Sequence, residues 1–206
     1  MKNIAVFASG NGSNFKAIYY KINDGVINGK INLLVSNNPR AGAVDFAYKN
    51  DINVKIVNDV RYPNENKKNN EYKNILNLHK TDLILLAGFM KKIPKNIIKK
   101  FNNKIMNVHP SLLPKYGGKG FYGINVHKAV IDSNDHFSGA TVHFVNEEYD
   151  KGPIIIQKKV KLEVDEDYNS LSEKVLKIEH TIYPYAVRKF CEENIIINKN
   201  KVYISE

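Results

Sequence analysis

Two kinds of hydrophobic spacing alternate along this chain, and that alternation limits the folds open to it. Five short and almost continuously apolar runs lie at residues 3–9, 30–37, 53–58, 82–88 and 103–109. Such runs are typical of strands buried on both faces of a sheet. Stretches with helical spacing separate them, at residues 14–24, 41–51, 70–80 and 94–101. This alternation predicts a parallel sheet wound by right-handed crossovers, which is an α/β fold.

The second half of the chain departs from this pattern. A helix predicted at 124–133 is followed by two strands, 138–146 and 152–160, with only five residues between them. A parallel crossover needs a dozen or more residues, so these two strands are expected to form a hairpin. We therefore expect a mostly parallel sheet with helices on both faces and a mixed, antiparallel C-terminal edge. A helix at about 167–192 and a short hairpin-like tail complete the prediction.

Length and composition favour one domain that spans residues 1–206. With 206 residues, 43% of them hydrophobic, the chain can bury one substantial core. No apolar run approaches the roughly 18 residues needed to span a bilayer, and the N-terminal stretch is interrupted too early for a signal peptide. The single cysteine, Cys191, cannot form an internal disulfide. These features predict a cytoplasmic protein, with residues 58–72 as its one linker-like piece.

The formal net charge of +10 raises the question of nucleic-acid binding. The lysines are dispersed in pairs, without an arginine-rich helix and without interleaved exposed aromatic residues. That distribution favours small anionic substrates, with neither nucleic acid nor membrane as a partner. Four histidines lack metal-ligand spacing, so we expect no metal: His127, His136, His143 and His180. Sequence leaves the role of His143 open.

Two polar side chains, Asn107 and His109, end the apolar run 103–109. Strand side chains alternate between faces, so these two point the same way. The turn after the next strand is expected to bring Asp150 over them, where its charge favours the imidazolium form of His109. An amide, an imidazole and a carboxylate, without a serine or cysteine nucleophile, fit acyl transfer to an amine of the substrate. Simple capping of the strand end is the structural alternative.

A glycine-rich turn, GNGSN at residues 10–14, follows the first strand and precedes the first helix. Backbone N–H groups at that place are suited to an anion. The turn is not a dinucleotide fingerprint, because Phe15 stands where the third glycine belongs, and it is no Walker loop. The amides of Gly12, Ser13 and Asn14 suit one terminal phosphate, while an ordinary tight turn is the alternative. We expect this loop to share a crevice with Asn107 and His109, because carboxyl strand ends meet there.

Five segments carry a family resemblance, in order along nearly the whole chain: GNGSN at 10–14, LAGFMKKIP at 86–94, NVHPSLLPKYGGKGFYGINVHKAV at 107–130, GATVHFVNEEYDKGPIIIQ at 139–157 and EHTIYP at 179–184. They resemble the phosphoribosylglycinamide formyltransferases of purine biosynthesis. The resemblance implies a Rossmann-like formyltransferase sheet and transfer of the formyl group of 10-formyltetrahydrofolate to the glycinamide amine of 5-phosphoribosylglycinamide. It also implies a phosphate-binding N-terminal half and a folate-binding, catalytic C-terminal half.

The resemblance implies roles for individual residues as well. The residues that correspond to the family's catalytic set are Asn107, His109 and Asp150. Those assigned to the ribonucleotide are Gly12, Ser13 and Asn14 for its phosphate and Glu179 for its ribose. Those assigned to the folate co-substrate are Met90, Lys91, Lys92, Ile93 and Asn107, together with the turn at 145–150.

The chain departs from the family pattern at two arginine positions. After AGFM the family commonly has arginine, whereas Lys91 and Lys92 stand here, and a lysine lacks the planar bidentate fork of arginine. The arginine usual ahead of the third helix is also missing. Lys67 or Lys68 is the stand-in that we expect to hold the folate carboxylates.

Three alternative functions are compatible with parts of the sequence. A methionyl-tRNA formyltransferase-like domain has a similar HPSLLP loop, but it requires a C-terminal barrel and lacks the GNGSN form. A formyltetrahydrofolate hydrolase usually carries an extra N-terminal domain, whereas the first strand begins at residue 3 here. A nucleotide-binding regulatory module leaves the convergence of Asn107, His109 and Asp150 unexplained. The expected partners are small-molecule substrates, and a homodimer remains an open alternative.

Overall fold

A computed structural model describes residues 1–199 and 201–205 of the chain. Its strands are β1 Lys2–Phe7, β2 Gly29–Ser36, β3 Asn53–Ile56, β4 Leu83–Leu86, β5 Ile105–His109, β6 Phe137–Phe144, β7 Ile154–Lys161, β8 Ile195–Asn198 and β9 Lys201–Ile204. Its helices are α1 Ser13–Asn23, α2 Gly42–Lys49, α3 Glu65–Leu78, α4 Lys95–Lys100, α5 Ile124–Asp132 and α6 Tyr168–Cys191. Strands and helices therefore alternate through the first half of the chain, as the hydrophobic spacing predicts.

The strands β1 to β7 form one sheet in the order β3-β2-β1-β4-β5-β6-β7. Strand β1 pairs in parallel with β2 and with β4, and β2 pairs in parallel with β3. Strands β6 and β7 are antiparallel, with Phe137 opposite Lys161 and His143 opposite Ile154. The prediction of a mostly parallel sheet with an antiparallel C-terminal edge is thus confirmed. A second, two-stranded antiparallel sheet contains β8 and β9.

The chain divides into two compact units, and the first comprises Met1–Met106. Its central strands β1 and β4 are buried on both faces, which explains their continuous apolar runs: all four residues of β4 are buried, as are the last four of β1. Helix α1 turns Phe15 and Ile18 inward, where both are fully buried. Their spacing of three residues places them on one face of the helix.

Helix α3 begins earlier than the sequence predicts, at Glu65 rather than at residue 70. The side chain of Asn64 accepts a hydrogen bond of 3.0 Å from the backbone N–H of Lys67, which is an N-cap interaction. The segment 58–72, interpreted as linker-like from its polar composition, therefore contains the first turns of a helix. Polar residues on an exposed helix face gave no apolar periodicity from which those turns could be recognised.

The second unit begins at Asn107, and its longest helix is α6. This helix buries Leu171, Val175 and Ile182 on one side, and it packs on β6 and α5. Its start is capped by the carboxylate of Asp167, which accepts from the backbone N–H groups of the second and third residues of the helix. Among the described residues, no helix has both the length and the apolar character needed to cross a membrane.

Candidate functional site

The hydrogen bond that His109 makes determines which of its ring nitrogens can exchange a proton. His109 ends β5 and is 4% exposed, and its Nε2 lies 2.7 Å from the backbone carbonyl oxygen of Tyr116. A carbonyl oxygen only accepts, so Nε2 carries the hydrogen in the neutral ring. The free lone pair is then on Nδ1. That atom lies 3.7 Å from the carboxylate atom Oδ2 of Asp150.

The carboxylate of Asp150 accepts a backbone N–H group and lies beside a second imidazole. Its Oδ2 accepts a hydrogen bond of 2.9 Å from the backbone N–H of Gly118, and its Oδ1 lies 3.6 Å from Nε2 of His143. The close approach depends on the neighbouring Gly117, because a Cβ there would lie 2.5 Å from Cδ2 of Leu113 and 3.3 Å from Cβ of Asp150. Asp150 itself has a left-handed backbone, with φ of 56°. The loop after β5 thus supplies backbone groups that hold the carboxylate in place.

Asn107 joins this group through His143, a residue of β6 that is 2% exposed. Nδ1 of His143 lies 2.8 Å from the carbonyl oxygen of Phe144, so Nδ1 donates and Nε2 keeps the lone pair of the neutral ring. The amide nitrogen of Asn107 lies 3.2 Å from that Nε2 and donates to it. This bond fixes the orientation of the carboxamide. The second amide hydrogen of Asn107 stays available for another acceptor.

Burial and charge act in opposite directions on the pKa of His109. Burial lowers the pKa most, and the charge of His143 lowers it further, while Asp150 and the Tyr116 carbonyl raise it; the net pKa lies below its ordinary value. For Asp150, burial raises the pKa most, but the neighbouring imidazoles of His143 and His109 and the N–H of Gly118 bring the net pKa below its ordinary value. At neutral pH the site therefore holds a neutral imidazole beside an ionised carboxylate. The imidazolium expected from sequence is absent from this resting group because burial outweighs the attraction of Asp150.

The glycine-rich turn lies in the first unit, at the start of α1. Gly12 is the N-cap residue, with φ of 68°, and a Cβ there would lie 2.8 Å from Cβ of Ala43. Ser13 begins the helix and Asn14 follows it as a buried residue. The described first turn of α1 contains no acidic residue, so no carboxylate there opposes the partial positive charge of the helix start. This geometry suits an anion, as the sequence predicts for a phosphate.

A cleft of about 960 Å³ lies in the first unit beside the residues after β4. Its lining includes Lys91, Lys92 and Ile93, whereas Met90 is 52% exposed and donates its N–H to Oγ of Ser9 at 2.8 Å. Three of the four residues predicted to contact folate here therefore share one concave surface.

The exposed carboxylate of Asp59 forms ion pairs with two lysines at this cleft. Its oxygens lie 2.6 Å from Nζ of Lys68 and 3.6 Å from Nζ of Lys91. Of the two stand-ins proposed for the missing arginine, Lys68 lines the cleft and Lys67 is outside its lining. The cleft therefore presents at least two oriented ammonium groups.

Glu179, the residue expected at the ribose, lies on α6 in the second unit and is 7% exposed. Its contact with the ribose stays a prediction. Within residues 1–199 and 201–205, no group of three or more histidine, cysteine, aspartate or glutamate side chains is arranged to hold a metal ion.

Sequence reasoning missed three of the groups that orient the site. His143 was left without a role, although its place in a strand of alternating faces allowed one. The carbonyl of Tyr116 and the N–H of Gly118 are backbone groups, which any residue could supply. Only the path of the loop after β5 brings them to His109 and Asp150, and no residue type in the sequence signals that path.

Known proteins resemble this chain in sequence and in fold. Residues 2–187 match the formyl transferase family model. The chloroplastic phosphoribosylglycinamide formyltransferase of Arabidopsis thaliana is 43% identical over 94% of this chain and 67% of its own length. The phosphoribosylglycinamide formyltransferase of Haemophilus influenzae is 33% identical over 99% of this chain and 94% of its own length. The crystal structure of glycinamide ribonucleotide transformylase 1 from Symbiobacterium toebii matches with a TM-score of 0.93 and 30% identity, over 100% of this chain and 95% of that one.

The chain belongs to the formyl transferase family. Within that family, relatives named phosphoribosylglycinamide formyltransferase resemble it over nearly all of its residues. The family predicted from the five motifs and the prediction of a formyl-transferring enzyme are therefore confirmed.

The attraction between Asp150 and His109 predicts how the pKa of His109 changes when the charge of Asp150 is removed. In Asp150→Asn the pKa of His109 should fall still further below its ordinary value, because the group that favours imidazolium is lost while burial remains. An NMR titration of the His109 ring in both proteins measures this directly. Asp132→Asn, which removes an exposed carboxylate of α5, is the matched control and should leave the pKa of His109 unchanged. An equal His109 pKa in wild type and Asp150→Asn would contradict the electrostatic role.

Proposed function

We propose that the chain transfers the formyl group of 10-formyltetrahydrofolate to the glycinamide amine of 5-phosphoribosylglycinamide. The observation that carries the proposal is the neutral His109, whose Nδ1 lone pair faces the ionised Asp150 while Nε2 is held by Tyr116. Two side chains of the kind that form covalent acyl intermediates are engaged elsewhere: Oγ of Ser111 donates to the carbonyl of Lys115 at 2.6 Å, and Cys191 is buried in α6. The arrangement supports proton transfer to and from a nucleophile that the substrate brings.

In the proposed mechanism His109 removes the proton that the substrate amine must lose as its nitrogen bonds to the formyl carbon. Nδ1 accepts this proton because Nε2 already carries a hydrogen bound to Tyr116. The imidazolium that forms is stabilised by Asp150. His109 then returns the proton to the folate nitrogen as its bond to the formyl carbon breaks, so the proton count balances.

Asn107 is the candidate group for the negative charge that develops on the formyl oxygen. One of its amide hydrogens is used by His143, and the other remains to donate to that oxygen. A carboxamide held by a buried imidazole is pre-oriented, so little reorganisation is needed when the charge appears. His143 would then act on the reaction by orienting Asn107.

The other binding assignments concern the glycine-rich turn and the cleft, which both lie in the first unit. The start of α1 at Gly12, Ser13 and Asn14 supports binding of the ribonucleotide phosphate. Lys68 and Lys91, which Asp59 holds at the cleft, support binding of the carboxylates on the folate tail. An ammonium group acts there as a point charge and lacks the bidentate geometry of arginine. Glu179 as the ribose contact and a cytoplasmic location remain parts of this proposal.

The catalytic proposal predicts a large loss of turnover in two variants. His109→Ala and Asp150→Asn should each lower kcat roughly 100-fold, the scale of lost acid–base assistance, with small changes in the KM of either substrate. Steady-state assays of formyl transfer to glycinamide ribonucleotide measure both constants, and the exposed His136→Ala serves as the control. Near wild-type kcat in His109→Ala would remove it from the mechanism. Folate turnover that needs no ribonucleotide would indicate the hydrolase instead, and turnover that depends on tRNA the methionyl-tRNA enzyme.

The loop assignment predicts that two glycine variants with similar backbone strain differ in binding. Gly12→Ala and Gly25→Ala both place a side chain at a left-handed φ, 68° and 74°, which costs about 1 kcal/mol in each, and the close contact with Ala43 adds to the destabilisation in Gly12→Ala. Gly12 belongs to the proposed phosphate loop at the start of α1 and Gly25 does not, so only Gly12→Ala should weaken ribonucleotide binding, while folate affinity is kept. Isothermal titration with each ligand gives the answer. Equal loss of both affinities in Gly12→Ala would make the loop purely structural.

The cleft assignment predicts that the folate tail is recognised by charge. Lys68→Met and Lys91→Met should each raise the KM of a folate with a carboxylate-bearing tail about 3-fold, the scale of one solvent-exposed ion pair. A folate analogue without the tail carboxylates should be unaffected. Lys67→Met removes the neighbouring charge that lies outside the cleft lining and is the matched control. If all three variants behave alike, the effect reports overall charge and the cleft assignment fails.

A further inference from the structure

Asp135, in the turn that follows α5, holds two neighbouring side chains of the loop after β5. Its Oδ2 accepts a hydrogen bond of 2.8 Å from the hydroxyl of Tyr116, and Nζ of Lys115 lies 3.0 Å from both of its carboxylate oxygens. Hydrogen bonds from Lys115 and then from Tyr116 lower the pKa of Asp135 against the opposing effect of its slight burial. The carboxylate is therefore ionised throughout the physiological pH range.

The residues that Asp135 holds belong to a turn, residues 115–118, which touches the catalytic candidates through its backbone. The carbonyl of Tyr116 lies 2.7 Å from Nε2 of His109, and the N–H of Gly118 donates to Asp150 at 2.9 Å. Tyr116 has a left-handed backbone, with φ of 54°, which is unusual for an aromatic residue. Such a conformation persists only when surrounding contacts hold it.

We propose that Asp135 is a positioning residue, which keeps the 115–118 turn where Tyr116 fixes the tautomer of His109 and Gly118 orients Asp150. Its importance for catalysis rests on the proposed function, whereas its effect on His109 does not. A role in general stability explains the contacts less well. Lys115 is 66% exposed at its side chain, and an exposed ion pair of that kind contributes little to folding. The hydroxyl bond from Tyr116 to a carboxylate is charge-assisted and directional, which suits it to fixing a conformation.

The effect on His109 is expected to pass through the turn. The groups that act on the pKa of His109 are Asp150, His143 and the Tyr116 carbonyl, and the pKa of the nearby His127 is lowered to about 4 by burial and by the charge of His109. Asp135 makes its contacts with Lys115 and Tyr116 instead. Because the Tyr116 carbonyl raises the pKa of His109, displacement of the turn should lower that pKa.

The test compares Asp135→Ala with Asp132→Ala, which removes a carboxylate of the same charge from the exposed part of α5. Asp135→Ala should lower the His109 pKa in an NMR titration and lower kcat about 3- to 10-fold, the scale of one lost hydrogen bond, with KM unchanged. Asp132→Ala should change none of these. Tyr116→Phe keeps the carbonyl and loses only the hydroxyl. The decrease of log kcat in the Tyr116→Phe/Asp135→Ala double variant should therefore be smaller than the sum of the decreases in the two single variants.

Each other outcome has a definite meaning. An unchanged His109 pKa and kcat in Asp135→Ala would overturn the proposal, even if thermal unfolding showed a loss of stability. Equal shifts in Asp132→Ala would overturn it as well, because they would identify a general charge effect. Additive losses in the double variant would remove the Tyr116 hydroxyl from the route. The NMR titration needs no substrate, so a shifted His109 pKa in a protein that lacks formyl transfer would reject the proposed function and leave the positioning role intact.

Discussion

The hydrogen bond between Nε2 of His109 and the carbonyl of Tyr116 is the interaction on which the chemistry of this protein depends. It assigns the hydrogen of the neutral ring to Nε2, and it thereby leaves Nδ1 as the atom that exchanges a proton near Asp150. The opposite tautomer would place a lone pair against a carbonyl lone pair in a buried site, which is unfavourable. A backbone carbonyl therefore determines which ring nitrogen of His109 can accept a proton.

Burial then decides the resting charge of that ring. The same lack of solvent that lowers the pKa of His109 raises the pKa of Asp150, yet the Gly118 N–H donates to the Asp150 carboxylate, whose net pKa stays below its ordinary value. A neutral base next to a carboxylate is ready to accept a proton and to stabilise the cation that results. His143 adds to this arrangement by holding Asn107, so one partly buried carboxylate has an imidazole on each side and an oriented amide beyond one of them.

The sequence predicts those features of the structure that leave a hydrophobic pattern, and it does not predict those that depend on single contacts. Strands buried on both faces appear as apolar runs, and a connection of five residues permits only a hairpin, so the sheet and its antiparallel edge could be predicted. The period of two in β5 pointed to Asn107 and His109 as a pair. The early start of α3 depends on a single cap, and the partners of His109 and Asp150 depend on the path of a loop. Neither leaves a periodic signal.

The path of that loop has an energetic cost, and the site shows where the cost is offset. Tyr116 and Asp150, with φ of 54° and 56°, both adopt a left-handed backbone, which costs on the order of 1–2 kcal/mol for a residue such as Tyr116 and less for an aspartate. Both residues supply groups to His109, and both are held by bonds that a relaxed backbone would break: Asp150 by the N–H of Gly118 and Tyr116 through Asp135. Strain at these two positions and the hydrogen bonds that oppose it therefore belong to one arrangement, in which folding free energy is spent on the placement of a proton-exchanging nitrogen.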